Sequence, residues 1–315
     1  MGNGPGGSCF QRFGSMNRLP VTTIGGYLGA GKTTLINHML RNADGTKLAV
    51  LVNEFGALPI DEDLIEARDD NLISIAGGCI CCSFGDNLVG TLMELSKRKP
   101  RPDHILIEAS GVAIPESIAA TISLVADYQI NGVIVLADVE TVRSLAADKY
   151  VGDTIERQLS GADLVLVTKV DLVAQSRVDE VSQWIAHQAP HANVVPIRQG
   201  VVPNAIVLGQ STDTTGLVVH PHSDADYESI VIKPGVIADA KTFAETLADP
   251  PHGIIRAKGF VKDSAGKSYT IQVVGRRVEV TASSESHPNA VVCIGRRREL
   301  AATQLHAFAK GGFVN

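Results

Sequence analysis

The chain has 315 residues, of which 44% are hydrophobic and 4% aromatic, with a formal net charge of -6 and a sequence pI near 5.8. This length and hydrophobic content predict one large folded domain with a smaller one beside it. The acidic balance argues against nucleic-acid binding, and no apolar run reaches transmembrane or signal-peptide character, so a cytoplasmic protein without membrane contact is expected.

A phosphate-binding loop follows a short glycine-rich segment, residues 1–17, which is predicted to be a disordered leader. Residues 26–33 read G-Y-L-G-A-G-K-T, a complete match to the pattern G-x-x-x-x-G-K-[ST]. An apolar run precedes the loop and helical spacing follows it, so strand, loop and helix stand in the required order. The predicted nucleotide-binding residues here are Gly26, Gly29, Ala30, Gly31, Lys32, Thr33 and Thr34.

The residue types in this loop suit a bound nucleotide. Its glycines let backbone N–H groups converge on phosphate oxygens, and the start of the helix adds its positive dipole end. Lys32 is expected to reach the β and γ phosphates, and the hydroxyl of Thr33 is expected to bind Mg²⁺. The alternative is a glycine turn with a surface lysine.

Three of the five cysteines form the sequence Cys79-Ile80-Cys81-Cys82. The first two share a face if the segment is extended, and flanking glycines let the chain turn to bring in the third sulfur. Three thiolates suit Zn²⁺, and also Co²⁺ or Fe²⁺, with Glu54 or solvent completing a tetrahedron. A redox-active dithiol and a set of buried apolar cysteines are the alternatives.

Two polar motifs follow later apolar runs. Glu108 directly follows the run 104–107, at the position where a P-loop fold needs a carboxylate that holds Mg²⁺ through water. Considered without the other motifs, Glu108 is better interpreted as an ordinary polar residue at a strand end. The sequence Thr168-Lys169-Val170-Asp171 follows the run 163–167. Its carboxylate can accept N1–H and N2–H₂ of guanine, a donor pair that adenine lacks, and the lysine stem can lie along the base. This favours GTP over ATP, with a solvated turn as the alternative.

Apolar runs alternate with helical patterns, which is typical of an α/β fold: a P-loop NTPase with a doubly wound, mostly parallel sheet. Strands are predicted at 21–24, 48–52, 72–75, 104–107, 132–137 and 163–167, and further helices at 88–96, 114–125, 139–147, 154–160 and 178–187. This domain is predicted to span 18–208, and the polar segment 209–226 is predicted to be a linker. A second, smaller α+β domain is predicted over 227–315, with strands at 230–232, 254–261, 269–274, 277–280 and 291–294 and helices at 240–247 and 298–309.

Taken together, these motifs resemble the CobW family of GTP-dependent metallochaperones, which is related to UreG and HypB. The matching segments are G-G-Y-L-G-A-G-K-T-T at 25–34, V-N-E-F-G at 52–56, G-G-C-I-C-C at 77–82, E-A-S-G at 108–111, T-K-V-D at 168–171 and R-A-K-G-F at 256–260. The resemblance implies that Glu108 is the magnesium acid, that Glu54 lies in a switch segment near the γ-phosphate, and that the cysteines form the metal site. It also implies a CobW-like C-terminal domain and slow GTP hydrolysis.

The resulting hypothesis is a GTP-hydrolysing metallochaperone that binds a divalent transition metal and delivers it to a client protein. Bound Mg-GTP orders the segment around Glu54 and brings Cys79, Cys81 and Cys82 into ligand geometry, and hydrolysis or partner docking releases that geometry. The expected partner is a client metalloenzyme of unknown identity, and a homo-oligomer is compatible with the sequence. Two alternatives stay open. One is a regulatory GTPase or P-loop kinase with structural cysteines, and the other is a metal sensor or reservoir that delivers nothing.

Overall fold

A computed structural model describes residues 18–43, 45–52, 72–76, 86–97, 99–209, 226–283 and 287–310. Two sheets organise this part of the chain, one of seven strands and one of five. The predicted leader and residues 210–225 of the predicted linker lie outside it. None of the helices in these ranges is long and apolar enough to cross a bilayer.

The larger sheet is parallel in every strand pair. Its strands are β1 (Leu19–Gly25), β2 (Leu48–Val52), β3 (Leu72–Ala76), β4 (His104–Glu108), β5 (Tyr128–Asp138), β6 (Leu164–Thr168) and β7 (Asn193–Pro196), in the order β3-β2-β4-β1-β5-β6-β7. β2, β4 and β6 are buried along their whole length, as expected for strands covered on both faces. β1 lies where the strand order reverses, which places the candidate site at the carboxyl end of β1.

Helices cover both faces of this sheet, which confirms the predicted doubly wound fold. The helices are α1 (Lys32–Arg41), α2 (Asp86–Lys97), α3 (Pro115–Ser123), α4 (Val142–Ala146), α5 (Gly152–Ser160), α6 (Gln175–Gln188) and α7 (Asn204–Leu208). α1 and α7 pack on one face, and α2 to α6 pack on the other. The apolar cluster on the first face also contains Tyr227, Ile255 and Ile294, so the C-terminal part of the chain packs against the same side.

Two predicted helices begin later than the sequence pattern indicates. The helix predicted from residue 139 begins at Val142, because β5 continues to Asp138 and a turn follows it. The helix predicted from residue 298 begins at Ala302, because the N–H of Leu300 closes a turn on the carbonyl of Arg296. β7 and α7 were not predicted, since four and five residues are too few to show a period.

The second sheet is antiparallel and carries its own core. Its strands are β8 (Tyr227–Ile232), β9 (Ile254–Lys262), β10 (Ser268–Val274), β11 (Arg277–Ser283) and β12 (Ala290–Arg296), in the order β11-β10-β9-β12-β8. Helices α8 (Ala240–Leu247) and α9 (Ala302–Lys310) cover one face. The rings of Phe243 and Phe308 stack between these helices with centroids 5.3 Å apart.

A buried arginine joins the second sheet to the first. The side chain of Arg256 on β9 is 1% exposed. Its guanidinium donates to the carbonyl oxygens of Ile206 (2.8 Å) and Val207 (3.1 Å) on α7, and to that of Asn131 on β5 (2.9 Å). Burial lowers the pKa of Arg256 to about 9. These carbonyl groups therefore accept hydrogen bonds from Nη1 and Nη2, whereas the buried Nε has no hydrogen-bond partner among the described residues.

The polar cluster continues from Asn131 into β1 and β4. The side-chain amide of Asn131 donates to the hydroxyl of Thr22 (2.8 Å), which lies 2.9 Å from Nε2 of His104 and donates to the carbonyl of Val207 (3.2 Å). Burial holds the pKa of His104 well below its ordinary value, and the charge of Arg256 lowers it further. The strand that leads into the phosphate loop is thus hydrogen-bonded to the domain interface.

Candidate nucleotide and magnesium site

The segment between β1 and α1 is a tight loop that depends on its glycines. Gly26, Gly29 and Gly31 have φ angles of 131°, 74° and 98°, all in the region that favours glycine. A Cβ on Gly26 would lie 2.4 Å from the carbonyl oxygen of Leu136 on β5, so no side chain fits there. Gly31 caps α1 and has no side chain, which leaves the start of the helix open to an anion.

The ammonium group of Lys32 lies over this loop. It donates to the carbonyl oxygens of Gly26 (2.9 Å) and Tyr27 (3.4 Å), and the residue is only 9% exposed. A lysine held against loop carbonyls can exchange those contacts for phosphate oxygens when a nucleotide enters. Phosphate binding by Lys32 stays a prediction, with which this position of the ammonium group is compatible.

Thr33 and Glu108 lie together although 75 residues separate them in sequence. The hydroxyl of Thr33 donates to Oε1 of Glu108 at 3.4 Å. β4 pairs with β1 so that Glu108 stands beside Ile24, and the glutamate is 3% exposed. A hydroxyl and a carboxylate are the hard oxygen donors that Mg²⁺ prefers, so the residues present fit the predicted magnesium site.

The predicted guanine-recognition residues follow β6. The hydroxyl of Thr168 donates to the carbonyl of Ala30 at 2.9 Å and so ties the end of β6 to the phosphate loop. Lys169 has φ 60° and begins a single 3₁₀ turn, Val170–Leu172, which carries the exposed side chain of Asp171. The side chain of Asp171 is therefore accessible to solvent, as binding to a base requires, three residues beyond the contact between Thr168 and the phosphate loop.

Two features near the site were missed in the sequence. The turn after β7 places Gly200 against Thr34, because a Cβ on Gly200 would lie 3.0 Å from Cγ2 of Thr34. The positive φ angles of Gln199 (51°) and Gly200 (72°) mark this turn, and the Gln-Gly pair was its available signal. The turn therefore lies beside the N-terminal end of α1, where the nucleotide is predicted to bind.

The second missed feature is Gln158 on α5, which supports the segment that follows Glu108. Its amide nitrogen donates to the carbonyl oxygens of Gly111 (3.1 Å) and Ala113 (2.7 Å), and the residue is 2% exposed. A Cβ on Gly111 would lie 2.7 Å from the side chain of Leu28 in the phosphate loop. Gln158 therefore holds the segment after β4 against the phosphate loop.

The predicted transition-metal ligands Cys79, Cys81, Cys82 and Glu54 lie outside the described residues. Within the ranges that the structure describes, no group of three or more His, Cys, Asp or Glu side chains could hold a metal ion. Cys293 is a free thiol in the C-terminal core, where burial raises its pKa to about 12. That thiol therefore stays protonated and makes a poor metal ligand.

Comparison with known proteins identifies both halves of the chain. Residues 20–196 match the family described as CobW/HypB/UreG, nucleotide-binding domain, and residues 227–309 match the cobalamin synthesis protein cobW C-terminal domain. These two matches correspond to the parallel and the antiparallel sheet.

Curated relatives carry related names. The chain is 30% identical to zinc chaperone CobW of Sinorhizobium sp, over 84% of this chain and 88% of that protein. It is 31% identical to zinc chaperone YjiA of Escherichia coli, over 78% and 82%. It is also 31% identical to zinc-regulated GTPase metalloprotein activator 1 of Schizosaccharomyces pombe, over 54% and 44%. The chain therefore belongs to the CobW/HypB/UreG family and is a GTPase with a CobW C-terminal domain.

Proposed function

We propose that this GTPase binds a divalent transition metal through Cys79, Cys81 and Cys82 and delivers it to a client metalloenzyme. Zinc is the first candidate because three relatives are named for zinc, and Co²⁺ and Fe²⁺ can use the same ligands. In this proposal, the bound nucleotide and its magnesium ion control the affinity for the transition metal.

The observation that carries the proposal is the register of β2, β3 and β4. Val52 at the end of β2 pairs with Ala76 at the end of β3 and with Glu108 at the end of β4. Glu54 follows Val52 shortly in sequence, and Cys79 follows Ala76. Both segments with predicted metal ligands thus leave the sheet at the edge that carries the predicted magnesium acid. This supports direct communication between the two sites.

We propose distinct nucleotide-binding roles for the residues of that edge. Lys32 stabilises negative charge on the β and γ phosphates, and Thr33 and Glu108 hold Mg²⁺, with Glu108 acting through water. Mg²⁺ supplies charge neutralisation on the phosphates when it is bound. Because Glu108 and Val52 are paired, a rearrangement at the γ-phosphate has a short path to the segment that begins at residue 53.

Guanine recognition gives a first test. Replacing Asp171 with asparagine is expected to weaken GTP binding roughly 100-fold, because two hydrogen bonds to an ionised acceptor together contribute about 3 kcal/mol. The same variant should gain affinity for XTP, whose base offers an oxygen where guanine has an amine. Nucleotide titration calorimetry with both nucleotides checks this. Asp153→Asn, at another exposed position, is the control, and unchanged GTP binding in Asp171→Asn would refute the role.

Metal coupling tests the proposed function itself. By linkage, if GTP tightens metal binding, then metal must tighten GTP binding by the same factor. We expect Mg-GTP to tighten zinc binding about tenfold, within the usual range of such couplings, and Cys81→Ser to abolish the effect. The measurement is Zn²⁺ and Co²⁺ affinity by chelator competition, with and without Mg-GTP.

The matched control is Cys293→Ala, which removes a thiol from the C-terminal core and should leave the coupling intact. Metal affinity that is the same with and without GTP would contradict gating and favour a GTPase with structural cysteines. Delivery needs a second readout: zinc should pass to a chelating dye faster with GTP than with a non-hydrolysable analogue. Coupling without that difference would favour a sensor or reservoir.

A further inference from the structure

A buried carboxylate, that of Asp138, contacts the lysine of the predicted guanine motif. Asp138 is the last residue of β5 and is 7% exposed. Its Oδ2 accepts a hydrogen bond from Nζ of Lys169 at 2.6 Å, and its Oδ1 accepts one from the backbone N–H of Glu140 at 2.9 Å. Both oxygens of the carboxylate are therefore engaged.

The backbone holds this carboxylate in a fixed place. Asp138 pairs with Thr168 in the register of β5 and β6, and the N–H of Val139 donates to the carbonyl of Thr168 at 3.2 Å. The hydrogen bond from Glu140 then fixes the rotation of the carboxylate. Since strands of a packed sheet shift little, Lys169 meets an acceptor whose position is set before any ligand arrives.

Lys169 has a backbone conformation that is unfavourable for a residue with a side chain. Its φ of 60° and ψ of 24° lie in the left-handed region, which costs a residue with a Cβ roughly 1 kcal/mol or more. This conformation turns the chain from β6 into the 3₁₀ turn that carries Asp171. The ion pair joins a side chain that is 37% exposed to one that is 8% exposed, so solvent screens it less than a surface pair.

We propose that Asp138 is a positioning residue for guanine selectivity: it holds the stem of Lys169 where the base stacks and fixes the backbone turn that aims Asp171. The inference rests on the proposed guanine recognition by Lys169 and Asp171. Asp138 itself does not touch the nucleotide and acts through Lys169. A lysine without this anchor would sample several rotamers, and base binding would then have to order it.

The first test is Asp138→Asn, which keeps the shape and an acceptor oxygen but removes the charge. We expect the KM for GTP to rise about tenfold, as for the loss of one charge-assisted hydrogen bond, with kcat changed less than twofold. The KM for ATP should stay unchanged, so the preference for GTP falls. Glu140→Gln changes a side chain outside these contacts and should behave as the wild type.

A double-mutant cycle separates positioning from a general structural role. Lys169→Met keeps an apolar stem and removes the ammonium, so it should match Asp138→Asn, and the double variant should be no worse than either single one. Effects that multiply in the double variant would overturn the proposal. So would equal losses for GTP and ATP together with a lower melting temperature, which would indicate only a structural role for Asp138.

Failure of the underlying guanine recognition has its own signature. If Asp171→Asn leaves the preference for GTP over ATP unchanged, the segment T-K-V-D does not recognise guanine. The inference about Asp138 is then refuted as well. If Asp171→Asn loses the preference while Asp138→Asn keeps it, guanine recognition stands and only the anchoring role of Asp138 is refuted.

Discussion

Replacing Lys32 with alanine is expected to reduce the rate of GTP hydrolysis by about 100- to 1,000-fold, the usual effect of removing one group that stabilises transition-state charge. The ammonium lies 2.9 Å from the carbonyl of Gly26 at the mouth of the loop, where the phosphates are predicted to bind. Charge that develops on the transferred phosphoryl group would then lack the ammonium group that is predicted to contact the β and γ phosphates. Single-turnover hydrolysis at saturating GTP measures the effect on chemistry apart from binding.

Two controls make the Lys32 result interpretable. Lys97→Ala removes an exposed lysine at the end of α2 and should leave hydrolysis unchanged. Circular dichroism of Lys32→Ala should show the wild-type fold, because α1 is held mainly by its buried apolar residues. A hydrolysis rate within threefold of the wild type, with the fold intact, would remove Lys32 from the catalytic assignment.

Replacing Arg256 with methionine is expected to lower the free energy of unfolding by about 3 kcal/mol. Methionine fills much of the same space, but the carbonyl groups of Ile206, Val207 and Asn131 each lose a hydrogen bond from a charged donor. The carbonyl of Val207 keeps the hydrogen bond from Thr22, and that of Asn131 keeps the one from Gln272. Each hydrogen bond from a charged donor contributes about 1.5 kcal/mol or more. The variant also avoids the cost of burying a charged guanidinium, which offsets part of this destabilisation. The expected loss of stability is therefore smaller than the largest effects of breaking a buried charge pair.

Denaturant unfolding with two probes checks the Arg256 prediction. Trp184 is the single tryptophan and packs in the parallel-sheet domain, so its fluorescence follows that domain, whereas circular dichroism follows both. In the variant, we expect an earlier midpoint and a fluorescence transition that no longer coincides with circular dichroism. Arg276→Met, at an exposed position, is the control. Equal stability of Arg256→Met and wild type would show that the interface does not depend on this guanidinium.

Local sequence rules were sufficient to predict the structure of those parts of the site whose residues are consecutive in the chain. Residues 26–33 fold as the predicted loop because their glycines permit φ angles that other residues avoid. The continuous apolar runs of β2, β4 and β6 indicated buried parallel strands for the same local reason. The assigned roles of Lys32 and Asp171 stay predictions, which the hydrolysis and binding measurements described above test.

Periodicity alone does not reveal an element of four or five residues, because so few residues fit a helical and a strand period equally well. β7 and α7 are of this kind, and both matter. The turn after β7 contacts Thr34, and α7 offers Arg256 two carbonyl groups at the domain interface. β7 and α7 form because they pack against segments that are distant in sequence, and a local sequence pattern does not encode such packing.

The family and the fold class were readable from the amino-acid sequence, because a glycine loop, a strand-end acid and a thiol cluster each show in neighbouring residues. Contacts between groups that are distant in the chain depend instead on the complete fold. Sheet register brings Thr33 to Glu108 across 75 residues and sets Asp138 against Lys169 across 31. Such contacts arise from strand order and side-chain packing, which are properties of the whole chain rather than of any segment.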